Sequence, residues 1–182
     1  NINTNADTKK DRFSFLFIDL DKFKQIKDTY SHQGSDILLK ETALRLNNSL
    51  RKNKYGATSL QDNSCDMVSR IGGDEFIILL DQIDGPWDAT AVSNRILNLL
   101  EKPIPINNED VYISCSIGAA VYPDDASSAQ MLIKNADIAM YHAKERGKNH
   151  YQFYSDKINT IMHDRLRIHS CLRRALEENQ FC

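Results

Sequence analysis

Arg70-Ile71-Gly72-Gly73-Asp74-Glu75-Phe76-Ile77-Ile78-Leu79-Leu80 decides the fold. The run after the carboxylates is β-branched, aromatic and apolar on both faces, the pattern of a strand covered on both sides. Met67-Val68-Ser69-Arg70-Ile71 reads as its partner, so Gly72-Gly73 is expected to be the tight turn of a hairpin. Glycine takes positive φ without steric cost and lets another group approach the backbone. Two carboxylates then stand at a rigid hairpin tip beside bare backbone, an arrangement suited to a divalent cation and a phosphate. An ordinary Gly-Gly turn followed by solvated acids has the same local chemistry, and the strand upstream is what separates the two readings.

That strand is Phe13-Ser14-Phe15-Leu16-Phe17-Ile18-Asp19-Leu20-Asp21, apolar on both faces and hence central in a sheet. Asp21 fits the N-cap of a helix over Lys22–Tyr30. Asp19 has no such explanation: it shares a strand face with Phe15 and Phe17 and lies where a ligand can reach it. Ser31-His32-Gln33-Gly34-Ser35-Asp36 reads as a polar break. A longer helix follows to about Lys52, with Leu39, Ala43, Leu46 and Leu50 as its buried stripe. Residues 1–11 and 53–65 carry no periodic signal.

Beyond the hairpin, Gly85-Pro86 opens a helix with Ala89, Val92, Ile96 and Leu99 inward. Pro103 and Pro105 mark a short edge strand, and Asn107-Asn108 turns it into one long strand over Val111–Val121. A helix from about Ser128 carries Leu132, Ala136, Ala139 and Ala143 on one face and stops at Gly147. His150–Tyr154 is a last strand, and residues 155–180 form an amphipathic, highly charged helix. The order β-α-α-β-β-α-β-β-α-β-α predicts an α+β domain of the ferredoxin-like or polymerase-palm type, an antiparallel sheet flanked by helices.

At 182 residues this is one domain with at most an appendage. Its 41% apolar and 26% charged content is that of a soluble globular chain. A net charge of −2 gives no argument for a nucleic-acid or membrane surface, and neither a nucleic-acid partner nor membrane contact by this domain is expected. No apolar run approaches the ~18 residues of a membrane span. Cys65, Cys115, Cys171 and Cys182 lack metal-like spacing and read as reduced thiols of a cytoplasmic domain.

In a palm-type sheet the end of the first strand and the hairpin tip are neighbours, so Asp19 and Asp74 are expected to face one another. With the carbonyl of Leu20 they make a hard-oxygen site for Mg²⁺ or Mn²⁺ that bridges nucleotide phosphates. Glu75 is expected on the other side of the strand or at its tip, free for acid–base work. The first turn of the helix offers the amides of Lys22 and Phe23 to phosphates. Lys144 and Lys148, four apart at a helix end, either reach the same phosphates or complement the helix dipole.

Taken together, Phe17-Ile18-Asp19-Leu20-Asp21-Lys22-Phe23-Lys24, then Asp28, His32 and Asp36, then Arg70 to Phe76, then Ala136 to Asn149, resemble the GGDEF family of diguanylate cyclases. The resemblance covers roughly residues 12–154 and implies a nucleotidyl-cyclase-like fold. It implies that two domains meet head to head, each carrying GTP, and form cyclic di-GMP and two pyrophosphates. Asp19, Leu20 (carbonyl) and Asp74 would hold Mg²⁺, with Asp74 and Glu75 catalytic. Lys22, Phe23, Lys24, Lys144 and Lys148 would hold phosphates beside Gly72 and Gly73, and His32 and Asp36 would line the nucleoside pocket. Lys27 stands where the family has a guanine-reading Asn; lysine donates but cannot accept. The family's product site, an Arg-x-x-Asp, reads here Asn63-Ser64-Cys65-Asp66, without the arginine that captures phosphate. Ser31 and Ser35 replace two glycines, and the family's usual opening segment is missing before Phe13.

The tail, with Met162, Arg165 and Leu172 to Asn179, resembles the connector joining a GGDEF domain to an EAL phosphodiesterase domain. The expected layout is therefore a GGDEF domain over 1–154 and a connector helix over 155–182, from a two-domain parent. Three functions follow: an active cyclase; a weak or inactive GTP-binding module that regulates an adjoining EAL domain, favoured by Lys27 and the tail; and a dimerisation domain binding no nucleotide, against which the retained carboxylates argue.

Overall fold

The computed structural model describes residues 12–50 and 66–177. Its elements are β1 (Phe13–Asp21), α1 (Phe23–Ser49), β2 (Met67–Gly72), β3 (Glu75–Leu80), α2 (Pro86–Leu100), β4 (Ile104–Ile106), β5 (Glu109–Val111), β6 (Ser114–Tyr122), α3 (Ala129–Glu145), β7 (Tyr151–Phe153) and α4 (Asp156–Glu177). A five-stranded sheet runs β2-β3-β1-β6-β7, antiparallel except for the β6–β7 pair. Helices cover both faces, the α+β palm-like arrangement expected.

β1 is central because both its faces are apolar. Leu16, Ile18 and Leu20 enter the larger core with Leu38, Leu46, Phe76, Ile78 and Ile96 from α1, β3 and α2. Phe15 and Phe17 face the other way, onto Leu132, Ala136 and Met140 of α3. Burying each large side chain contributes about 1.5–3 kcal/mol. α3 lies so close to β6 that a Cβ at Gly118 would stand 1.9 Å from the carbonyl oxygen of Ala136. Only glycine admits that approach.

Four sequence expectations are corrected. Residues 31–36 do not break the chain into two helices: α1 is helical throughout. Polar residues with modest helix propensity do not stop a helix by themselves, and the single Gly34 costs only about 1 kcal/mol. A Cβ at Gly34 would lie 2.7 Å from that of Tyr30, far inside the ~5–6 Å of regular neighbours one turn apart, so a side chain there would force a shift. The missing side chain also lets Ile106 of β4 close in. Second, Asp21 is not an N-cap. Lys22 occupies that place with φ 60°, and no side chain caps α1.

Third, the hairpin turn is Gly73-Asp74, closed by the Gly72–Glu75 pair, with an irregularity between Arg70 and Gly72. Gly73 carries the positive φ of 55°. Fourth, the long strand expected over Val111–Val121 is two. β5 pairs only with β4 in a separate ribbon, and the sheet strand β6 begins at Ser114. In α2, Leu100 is fully buried and Leu99 only half-buried. α3 starts where expected, and Ser128 caps it, its hydroxyl accepting from the Met131 amide at 3.3 Å. Cys115 is buried and Cys171 exposed, both unbridged. Cys65, Cys182, Asn63 and Ser64 lie outside the described residues. No described helix is long and apolar enough to cross a membrane.

Candidate functional site

The site gathers where β1 ends. The antiparallel register sets Asp19 directly opposite Glu75 on β3 and opposite Ser116 on β6. Directly paired residues in an antiparallel sheet project to the same face. Glu75 therefore lies on the face of Asp19, at the tip end of β3, the second of the two placements expected for it. Asp74 is one residue away in the turn, where its carbonyl accepts from the Leu20 amide at 3.2 Å. That bond ties the hairpin tip to the end of β1. Arg70 reinforces the tip: its Nε and one Nη donate to the Gly73 carbonyl at 2.9 and 2.7 Å.

Asp19 is buried, 5% exposed. Burial pushes its carboxyl above the usual range, and the negative Asp74 and Glu75 push the same way. Lys144, reaching down from the last turn of α3, opposes them with an ion pair to Oδ2 at 2.6 Å. Three carboxylates crowd around one strand end, and a lysine offsets part of the repulsion.

Asp21 was missed by sequence reasoning. It is buried at 4% exposure, two residues on from Asp19 and so on the same face. Its Oδ1 accepts from the Ser116 hydroxyl at 2.8 Å; its Oδ2 accepts from the Ser114 hydroxyl at 2.7 Å and the Asn149 amide at 3.1 Å. The signal was present in the spacing of two along a strand, which a capping role for Asp21 concealed.

Other expected residues distribute around this centre. Lys22 and Lys24 are exposed at the uncapped start of α1, whereas the Phe23 side chain is buried in the core. Lys148 does not continue the face of Lys144: α3 ends at Glu145, and Lys148 lies in the turn beyond with φ 66°. Its amide returns to the Ala143 carbonyl at 3.3 Å, the six-to-one bond of a Schellman motif with Gly147 as its left-handed residue. Asp36 lines a pocket of about 230 Å³ with Leu39, Lys40, Ala43, Val68, Arg70 and Phe76. His32 and Lys27 are exposed on α1, and neither lines that pocket.

The site is thus a palm-like sheet with acidic strand ends beside the uncapped start of α1, with Lys144 paired to Asp19. The profile described as diguanylate cyclase, GGDEF domain, matches residues 1–150, and the chain belongs to the GGDEF family. Among curated relatives it is 38% identical over 169 residues to the bifunctional diguanylate cyclase/cyclic di-GMP phosphodiesterase MucR of Pseudomonas aeruginosa. That match takes in 93% of this chain and 23% of MucR. It is 33% identical to the cyclic di-GMP phosphodiesterase PdeR of Escherichia coli, over 91% of this chain and 23% of that protein. The chain thus spans about a quarter of the length of these relatives. Among solved structures, the GGDEF domain of TpbB from Pseudomonas aeruginosa superposes with a TM-score of 0.75 at 31% identity, covering 84% of this chain and 83% of that one. An EAL/GGDEF domain protein from M. capsulatus gives 0.70 at 40% identity, covering 81% and 88%.

Proposed function

We propose that this domain condenses two GTP into cyclic di-GMP and two pyrophosphates, acting as a head-to-head pair of domains. The observation that carries the proposal is the crowding of Asp19, Asp74 and Glu75 at one strand end in a GGDEF fold. Such crowding costs stability unless a cation relieves it.

The donor set fits Mg²⁺ or Mn²⁺. It is all oxygen, and the Lys144 ammonium already on Asp19 registers the local demand for positive charge. Among the described residues no three His, Cys, Asp or Glu side chains form a cation cage by themselves. Asp19, the Leu20 carbonyl and Asp74 would hold the ion, and phosphate oxygens and water would complete the shell, as is usual for Mg²⁺. When bound, it supplies charge neutralisation at the phosphates.

The protein's own groups would do the rest. Glu75 takes the proton from a 3′-hydroxyl as that oxygen bonds to the α-phosphorus of the GTP on the facing domain, and pyrophosphate leaves with the electron pair of the broken P–O bond. The amides of Lys22 and Phe23, with Lys24, Lys144 and Lys148, bind the phosphates and hold their charge. Gly72 and Gly73 let the chain approach them. Asp36, in the pocket with Leu39, Val68 and Phe76, would take the guanine edge, whereas His32 and Lys27, exposed outside that pocket, would meet the nucleoside only from the solvent side of α1. GTP as substrate places this chemistry in the cytoplasm.

A second reading is a GTP-binding module that regulates an EAL domain in the same parent chain, to which residues 155–182 would connect the GGDEF domain of 1–154. The exposure of Lys27 outside the pocket lined by Asp36 favours it, as do relatives named for phosphodiesterase activity. Incubation with Mg²⁺ and GTP followed by chromatography for cyclic di-GMP separates the two. Cyclase activity predicts product that falls at least about a hundredfold in Glu75→Gln, the scale of a lost general base, with GTP binding retained in calorimetry. Binding without product at protein concentrations where the domains pair favours the regulatory reading.

A further inference from the structure

Asp21 lies outside the set of groups assigned above to cation, phosphate or base. It is nonetheless the most densely bonded carboxylate near the site. Its three donors come from two distant parts of the chain: Ser114 and Ser116 on β6, and the Asn149 amide beyond α3. Both oxygens accept hydrogen bonds from the protein, three in all, so the carboxylate is held by the chain itself.

The backbone it grips is unusual. Lys148 and Asn149 are successive non-glycine residues with φ of 66° and 49°, and Lys22, next to Asp21 itself, has φ 60°. Left-handed conformations are unfavourable for residues with a Cβ and persist only where surrounding bonds over-determine them. Here those bonds are on record. The Lys148 amide meets the Ala143 carbonyl, the Lys148 carbonyl lies 2.8 Å from the His150 Nδ1, and the Asn149 amide meets Asp21. The first two are local to the turn. Among the described residues, the Asp21 bond is the hydrogen bond that ties the turn to β1, the strand that carries Asp19.

We propose that Asp21 is a positioning residue: through the Asn149 amide it locks the left-handed turn after α3 against the end of β1 and so sets where Lys148, and Lys144 one turn before it, stand relative to Asp19. The inference rests on the phosphate-binding role proposed for these lysines. Asp21 touches no reacting atom in this account.

The test is Asp21→Asn, which keeps the shape but presents an amide N–H₂ to at least one donor. Three readouts are taken on wild type and variant: calorimetric affinity for GTP with Mg²⁺, hydrogen exchange at the Asn149 amide, and the split between KM and kcat wherever wild type turns over. Loss of a charged hydrogen bond that orients the turn is expected to weaken GTP binding by roughly tenfold. It should raise KM more than it lowers kcat, and speed exchange at Asn149 while core amides of β1 stay protected. Ile96→Val, a small core deletion on the other face of the sheet, serves as the destabilised control and should bind GTP as wild type does. Should Asp21→Asn fail to fold, Ser114→Ala removes one of the two donors to Oδ2 and is expected to weaken binding about threefold. Faster exchange at Asn149 with GTP affinity within twofold of wild type overturns the proposal, as does a loss of affinity equal to that of the control. Wild-type protein that binds no GTP overturns the proposed function and this inference with it.

Discussion

Asp19 combines burial with like-charged neighbours, and the sign of its effect on stability follows. Its folded carboxyl titrates above the ordinary value of 3.8, first because it is buried and then because Asp74 and Glu75 repel the charge, with Lys144 offsetting part. A carboxyl raised in the folded state binds its proton more tightly than in the unfolded chain, so stability falls as pH rises from that ordinary value through the folded one. The cost is present wherever the folded carboxyl is ionised. Asp19→Asn is therefore expected to raise the thermal midpoint at pH 7, to lose that gain below about pH 3.8, and to abolish cation-dependent GTP binding; scanning calorimetry and nucleotide titration check both halves. Gly118 is the opposite kind of residue, with no chemistry and no freedom. A methyl group there meets the Ala136 carbonyl oxygen at 1.9 Å, so Gly118→Ala is expected to cost about 3 kcal/mol in urea unfolding by forcing α3 off the sheet. Asp19 was legible from the sequence because an acid ending an apolar strand has no packing reason to be there. Asp21 was not, because a residue at a strand–helix junction has two possible local roles and the sequence alone favoured the cap.

At the scale of elements, the strands were legible where both faces are apolar, as in β1 and β3, because that pattern has few other solutions. Errors fell where composition and geometry part. A polar stretch at 31–36 is a poor helix signal yet stays helical inside α1, because its neighbours on both sides are anchored to the core by Phe23, Leu38 and Leu39. Gly-Gly marked the hairpin but not which glycine bends, and a two-residue turn shifted by one moves every side chain after it to the other face. The β-rich run through Tyr112 and Ile113 hid the boundary where the ribbon β4–β5 gives way to the sheet strand β6. The link between α1 and α2 was equally hidden. Arg45 donates through Nη1 to the carbonyls of Leu99 and Lys102, through Nη2 to that of Pro103 at 2.7 Å, and through Nε to Glu41 at 2.9 Å. It thereby satisfies carbonyls left open at the end of α2. Arg45→Met keeps the stem and loses these bonds; it is expected to lower stability by about 2 kcal/mol in urea unfolding, with GTP affinity unchanged because the clamp is remote from Asp19.

For the whole molecule, the proposed reaction needs a hydroxyl and a phosphate from two separate nucleotides, one on each domain. Its rate must then follow the population of paired domains. While most chains are monomeric, doubling the protein concentration is expected to raise the rate of product formation about fourfold; a rate that only doubles would mean that one chain suffices and would remove the head-to-head scheme. The parts of the site come from widely separated chain segments: β1, the hairpin at Gly72–Glu75, and the turn after α3. The bond from Asn149 to Asp21 alone closes a separation of 128 residues. Contacts that distant form late and slow folding. A chain still emerging from the ribosome carries the acidic strand end and the hairpin well before it carries Lys144, which offsets part of their charge. Until residues 144–149 have been made and docked, three neighbouring carboxylates repel one another without relief. Under the proposed function, nucleotide affinity is expected only once that turn has been made, and a chain cut short before it is expected to bind no GTP.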